Sequence, residues 1–278
     1  MGRIRIGNQT ACAASQALDP FHFALDNGFD AFEWFSDKKY EYSGLTRGWE
    51  ESDFDAQERS RIRGIGKDRD MLYSVHAPWQ ANPLYSDGAG LLMRSLDFAR
   101  DIGARLVNLH LYMENGANEY VRAMRPVLQY AKQLHVGISI ENTPLTSPAD
   151  FNEVFSQLRS SGELELNTLG MCLDIGHANL CESTRNDFIR YIDGLSPDVP
   201  IIHLHVHENY GDRDSHLPLF TGPAGHDDTA IRALLGRMLK RKYDGAMILE
   251  QWPHPSYLLT NAARGLKGLL DAAMPLYG

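Results

Sequence analysis

Cysteine is scarce in this chain. Its 278 residues include three, Cys12, Cys172 and Cys181, too few and too scattered for a disulfide framework and without the paired spacing of a thiolate zinc site. They read as buried or idle thiols of a protein kept in a reducing cytoplasm. Long apolar runs are missing too: no 18 consecutive apolar residues occur, which excludes a membrane-spanning helix. The opening MGRIRIGNQT lacks the apolar core of a secretory signal, and Ile6 breaks the myristoylation pattern that Gly2 could begin. Basic residues are in deficit, 27 Lys and Arg against 36 Asp and Glu, a formal charge of -9. That disfavours a broad nucleic-acid surface while leaving room for a local basic patch. No low-complexity segment and no linker rich in Pro, Gly or Ser divides the chain, so residues 1–278 read as one domain.

What is present is a beat. Short apolar runs, each followed by an amphipathic stretch, recur eight times: RIRIG (3–7), FDAFEW (29–34), MLYSVH (71–76), RLVNLH (105–110), VGISIE (136–141), LGMCLD (169–174), IIHLHVH (201–207) and GAMILE (245–250). Near-continuous apolar strands alternating with helices predict an α/β fold, the (β/α)8 TIM barrel. Between the third and fourth runs, Leu91, Leu92, Leu96, Ala99 and Ile102 recur at helical spacing and Gly103 supplies a stop. Ser147 followed by Pro148 reads as the N-cap and first position of a later helix.

The ends of the runs carry the chemistry. The third ends at His76, the fourth at His110, the fifth at Glu141, the sixth at Asp174 and the eighth at Glu250; the seventh carries His205. From His76 to His205 the intervals are 34, 31, 33 and 31 residues, one β/α unit each. In a barrel this register brings all six to the C-terminal mouth, where barrel enzymes keep their active sites. The seventh run opens IIHLHVHENYGDRDSH, with His203, His205 and His207 alternating and therefore on one face of a strand. His203 reads as a hydrogen-bonded core histidine one layer deeper, and His207 as lying just past the mouth, either donating to a residue behind the site or contacting substrate.

The segments VHAPW, LVNLH, ISIENT, CLDIGHANL, HLHVHEN, DSH and ILEQ together resemble the xylose isomerase-like TIM-barrel superfamily, which includes endonuclease IV and many sugar isomerases and epimerases. The resemblance spans roughly the whole chain. It implies, position by position, a complete nine-residue metal set: His76, His110, Glu141, Asp174, His177, His205 (three residues before the acidic Glu208), Asp214, His216 and Glu250. A one-metal isomerase resembling this family needs Glu141, Asp174, His205 and Glu250, with Glu141 and Glu250 flanking the carbon that exchanges a proton. It has no use for His76, His110, Asp214 and His216 as ligands. That surplus implies one to three divalent ions, and the extra imidazoles favour Zn or Mn over Mg. Several ions a few ångström apart suit phosphoester hydrolysis, which is placed slightly ahead of isomerisation or epimerisation.

Trp79, Tyr112 and Trp252 each follow an expected ligand within three residues and, with His207, are the expected substrate contacts. Trp34, Phe35, Tyr40, Tyr42 and Trp49 also fall near the expected mouth. Aromatic faces beside polar groups suit a small sugar or sugar phosphate. Glu33 reads equally as facing the site or as a surface or capping residue. Abasic-site endonuclease activity is disfavoured: the stretch after the first run lacks the expected Ser-Ala-Ala-Gly-Gly pattern, and the charges of 37–70 read as a solvated helix face. A non-catalytic sugar or metal binder is the remaining alternative.

Overall fold

The structure is a computed structural model. It describes residues 3–10, 14, 16, 18–40, 46–162 and 169–276, with the backbone alone at Tyr40, Thr46 and Arg47; Cys12 and Tyr42 lie outside the described residues. Eight parallel strands close into a barrel: β1 (Arg5–Gln9), β2 (Ala31–Phe35), β3 (Leu72–His76), β4 (Leu106–His110), β5 (Gly137–Glu141), β6 (Leu169–Asp174), β7 (Ile201–Val206) and β8 (Ala246–Leu249), with β8 pairing β1. Each strand is the expected apolar run, to within a few residues.

Every second residue of a strand points inward, and this parity builds the interior in layers. Toward the strand starts, Ala31, Ala246 and Ile248 form a small apolar cluster with Leu72 packed against it. Above it come Glu33, Ser74, Asn108, Ser139, Cys172 and His203, all buried. The strand ends then carry His76, His110, Glu141, Asp174, His205 and Glu250. The opposite parity, with Val75, Val107, Ile138, Ile140, Leu173, Leu204, Val206, Met247 and Leu249, joins the main core beneath the helices.

The helical ring follows from local signals. α2 (Ala56–Arg69) and α5 (Pro148–Ser160) open on capping boxes, Asp55 with Glu58 and Ser147 with Asp150. α3 (Ser86–Ile102) stops at Gly103, whose φ of 75° favours glycine. α2 is the most polar of these, with Arg61, Arg63, Lys67 and Arg69 exposed as a solvated face; Arg59 instead pairs with Asp101 at 2.9 Å and lies over the Phe98 ring. Cys172 and Cys181 are buried and unpaired. Among the described residues no helix is long and apolar enough to cross a membrane.

Two aromatics that the sequence places near the mouth belong to the core. Trp34 has outward parity on β2 and meets Trp49, Phe54 and Phe98 edge-on, at ring distances of 5.8, 5.7 and 6.2 Å. Trp49 also donates from Nε1 to Thr10 Oγ1 at 3.0 Å. Trp34→Ala should therefore destabilise the protein by about 3–5 kcal/mol, read as a lower urea midpoint with an unchanged slope.

Candidate metal centre

The mouth is assembled by fixed backbone and by polar residues of the layer below. Asn108 donates to Glu141 Oε2, and Ser139 Oγ donates to Asn108 Oδ1 at 2.7 Å. Asn142 grips the main chain of Asp174 twice, accepting its N–H and donating to its carbonyl, both at 2.8 Å. Asp174 Oδ1 caps α6 (Ile175–Leu180) through the His177 N–H at 2.6 Å, which leaves Oδ2 for the mouth. That D-x-x-H spacing puts a carboxylate at a strand end and an imidazole on the first helical turn, facing the same space.

All nine residues of the expected metal set come together. Around His205 Nδ1 lie Glu250 Oε2 at 3.2 Å, Glu141 Oε1 at 3.3 Å and Asp174 Oδ2 at 3.7 Å. Glu141 also meets His76 Nε2 at 3.1 Å, His110 Nε2 at 3.6 Å and His177 Nδ1 at 3.3 Å. Asp214 Oδ2 sits between His177 Nε2 at 3.1 Å and His216 Nε2 at 3.0 Å. Ligand atoms within 4.8 Å of one another define several overlapping groups, among them His76–Glu141–His205–Glu250, Glu141–Asp174–His177 and His177–Asp214–His216.

His207 lies differently from expectation. It is buried inside the cluster, not past the mouth: its Nε2 is 3.0 Å from Asp174 Oδ2 and 3.6 Å from Glu250 Oε2, and its ring stacks on His216 at 4.0 Å and 9°. This approach depends on Gly176, because a Cβ there would stand 2.0 Å from His207 Cε1. Strand alternation carried past the end of β7 was the signal that could have placed it. The other expected substrate contacts sit at the rim. Trp79 is 56% exposed; Tyr112 donates its hydroxyl to the Trp79 carbonyl and its ring lies 6.4 Å from His110; Trp252 is half-buried and packs edge-on to Phe23.

Three histidines are oriented by carbonyl oxygens, which only accept. Nδ1 of His76 faces Ala77 O at 2.7 Å, that of His177 faces Asn142 O at 2.8 Å, and that of His216 faces Glu250 O at 2.9 Å. Each Nδ1 therefore carries the proton and Nε2 is presented to the mouth. Glu33, evenly weighed from sequence, is fully buried below the mouth, with Oε2 2.8 Å from His203 Nε2 and Oε1 2.8 Å from His205 Nε2. His203 is the core histidine that was expected.

Asp214 and His216 arrive on the 210–226 loop. Glu208 anchors it: its carboxylate accepts the Phe220 N–H and, at 2.9 Å, the Ala224 N–H, so this acidic partner of the seventh-run motif faces loop amides. Burial raises the Glu208 pKa against those N–H groups.

The donor set fits divalent cations. Glu141 Oε1, Glu250 Oε2 and His205 Nδ1 are buried and make no aligned hydrogen bond, the two carboxylate oxygens lying 3.3 and 3.2 Å from the ring nitrogen. Buried polar atoms are normally satisfied, and an ion between them satisfies all three. Burial opposes charge at Glu141 and Asp174, yet His205 and His110 hold the first, and His177 and His207 the second, well below the usual carboxylate range. Burial likewise opposes charge on His216, but Asp214 and Glu250 push it up to about 10; against the same burial, His177 is raised by facing carboxylates and His205 by Cys172 and then by Glu250, Glu141 and Glu33.

The chain belongs to the xylose isomerase-like TIM barrel family, whose sequence pattern matches residues 21–272. MJ1614 of Methanocaldococcus jannaschii, an uncharacterized protein, is 27% identical over 173 residues, 57% of this chain and 64% of that protein. The uncharacterized y4fM of Sinorhizobium fredii is 26% identical over 159 residues, 53% of this chain and 47% of that protein. The matches thus span about half to just under two-thirds of these curated relatives. A solved D-tagatose 3-epimerase-like protein superposes with a TM-score of 0.74 at 17% identity, covering 99% of this chain and 100% of that one. D-psicose 3-epimerase, solved in the presence of D-fructose, gives 0.69 at 14% over 96% and 99%. The TTHB071 protein of Thermus thermophilus, soaked with zinc chloride, gives 0.61 at 20% over 96% and 98%. At these identities the likeness to solved structures establishes the fold.

Protonated imidazoles must lose protons to bind a cation. Zinc binding near pH 7 should therefore release at least one proton per chain and weaken as the pH falls. Calorimetry in buffers of different ionisation enthalpy reads the protons directly; binding with no proton exchange would remove the imidazoles from the site.

Proposed function

We propose that this protein is a metal-dependent phosphoester hydrolase acting on a small sugar phosphate, with a multinuclear zinc or manganese centre at the barrel mouth. One observation carries the reading: eight of the nine side chains, four of them histidines, form overlapping ligand groups linked through Glu141 and His177, and the ninth, His110, lies 3.6 Å from Glu141, together more than a single ion can use. When bound, adjacent divalent ions supply Lewis-acid polarisation of phosphoryl oxygens and an acidified water. Glu141 is placed to serve neighbouring positions at once, since its two oxygens face different histidines. Asp214 and His216 close the mouth from the loop side. Likeness to solved sugar epimerases and the half-buried Tyr112 and Trp252 at the rim support a sugar as substrate.

Epimerisation of a sugar is the second reading, favoured by Glu141 and Glu250. Their carboxylates reach His205 Nδ1 at 3.3 and 3.2 Å and so flank a single position, as two bases about one carbon do. Elemental analysis of protein purified without tag or chelator separates the two: two or three ions per chain are expected for hydrolysis, one for epimerisation. His110→Ala and His216→Ala should lose metal and phosphate release together. Residues behind a ligand are worth about 10–100-fold, so each loss should exceed tenfold. Full activity in either variant, with solvent proton exchange into ketoses, would favour epimerisation. Incision of a duplex carrying an abasic analogue would instead establish nuclease activity.

A further inference from the structure

His205 is the exception among the oriented histidines. The chain pins His76, His177 and His216 through Nδ1 and presents Nε2; His205 presents Nδ1 to Glu250, Glu141 and Asp174, and turns Nε2 down into the barrel. Among the described residues no carbonyl receives that Nε2. The group beside it is Glu33 Oε1, 2.8 Å away, in reach but off the N–H axis. The carboxylate is itself immobilised: Oε2 accepts from Ser74 Oγ at 2.9 Å and faces His203 Nε2 at 2.8 Å. Glu33, His203 and His205 are each 0–1% exposed, so the charge acts in a medium that screens it weakly.

We infer that Glu33 is a positioning residue for the metal centre, holding the proton of His205 on Nε2 so that Nδ1 offers its lone pair to the mouth. It does for His205 what main-chain carbonyls do for the other three, and it adds a full negative charge. A carboxylate behind a ligating imidazole raises the basicity of the ligand as well as fixing its tautomer. Ser74 and His203 serve Glu33 by occupying its second oxygen. His203 thereby has a use beyond filling the core. The inference rests on the metal reading of the mouth.

Glu33→Gln tests it, because it keeps the shape and removes the charge. Zinc affinity, measured against a chelating dye, should fall about 10–100-fold. In zinc-loaded protein carrying 15N-histidine, an imidazole N–H resonance absent from His205→Ala should be present in the wild type and lost in Glu33→Gln. A role confined to packing would leave that resonance in place. If Glu33→Gln does not fold, Glu33→Asp, which keeps the charge but withdraws it from Nε2, should show the same two losses. Zinc affinity within twofold of wild type with the resonance retained would overturn the inference. So would a sulfur-to-metal charge-transfer band in the cobalt-loaded wild type that disappears in Cys172→Ser, since Glu33 would then lie in a metal shell of its own with Cys172 and His203. Zinc binding by the wild type and its loss in His205→Ala test the mouth itself, independently of Glu33.

Discussion

Five carboxylates, Glu33, Glu141, Asp174, Asp214 and Glu250, crowd one end of a barrel whose walls exclude water, and four of them are at least 92% buried. Such a concentration of negative charge is untenable without compensating positive charge nearby. Imidazoles answer it: every one of these carboxylates lies within 3.3 Å of a histidine nitrogen. The arrangement suits cations because a metal ion can take the place of the imidazolium charge that His177, His205 and His216 supply. The rest of the architecture serves this balance by holding the groups so close that neither charge can relax away.

Parity does most of the placing. A strand that ends on an inward residue also points inward two residues earlier, so a ligand and its support come from one stretch of chain. Asn108 lies below His110 and steadies Glu141; Ser139 lies below Glu141 and steadies Asn108; His203 lies below His205 and shares Glu33 with it. Main chain does the rest: α6 gives His177 a capped turn, and the residues just after three strands, Ala77, Asn142 and Glu250, give the carbonyls that choose a tautomer for three rings.

The fold was legible because its signal is repetitive. Eight apolar runs at regular intervals admit few architectures, and six polar residues in register at their ends admit fewer. The nine converging residues were legible as well, because seven of them lie on strand ends or the turn just after, where alternation dictates direction. What escaped depended on contacts between distant segments. Glu33 reaches His205 across 172 positions of sequence, and nothing in FDAFEW says whether its acid faces barrel or solvent. Trp34 and Trp49 look like rim aromatics in one dimension, but parity and a partner at Thr10 put them in the core. His207 was placed too far out because the strand geometry persists beyond its last paired residue. The 210–226 loop has no periodicity, and its path follows from Glu208 gathering amides twelve and sixteen residues ahead.

The contact between Gly176 and His207 has a consequence for how such a site diversifies. The imidazole occupies the volume that a side chain at 176 would need, so the two positions form one steric unit on separate segments. A lineage that enlarged residue 176 would first have to shrink or withdraw residue 207, and the reverse order is closed to it. Pairwise variation at these two sites across relatives should therefore be directional, with glycine retained wherever the third alternating histidine is kept.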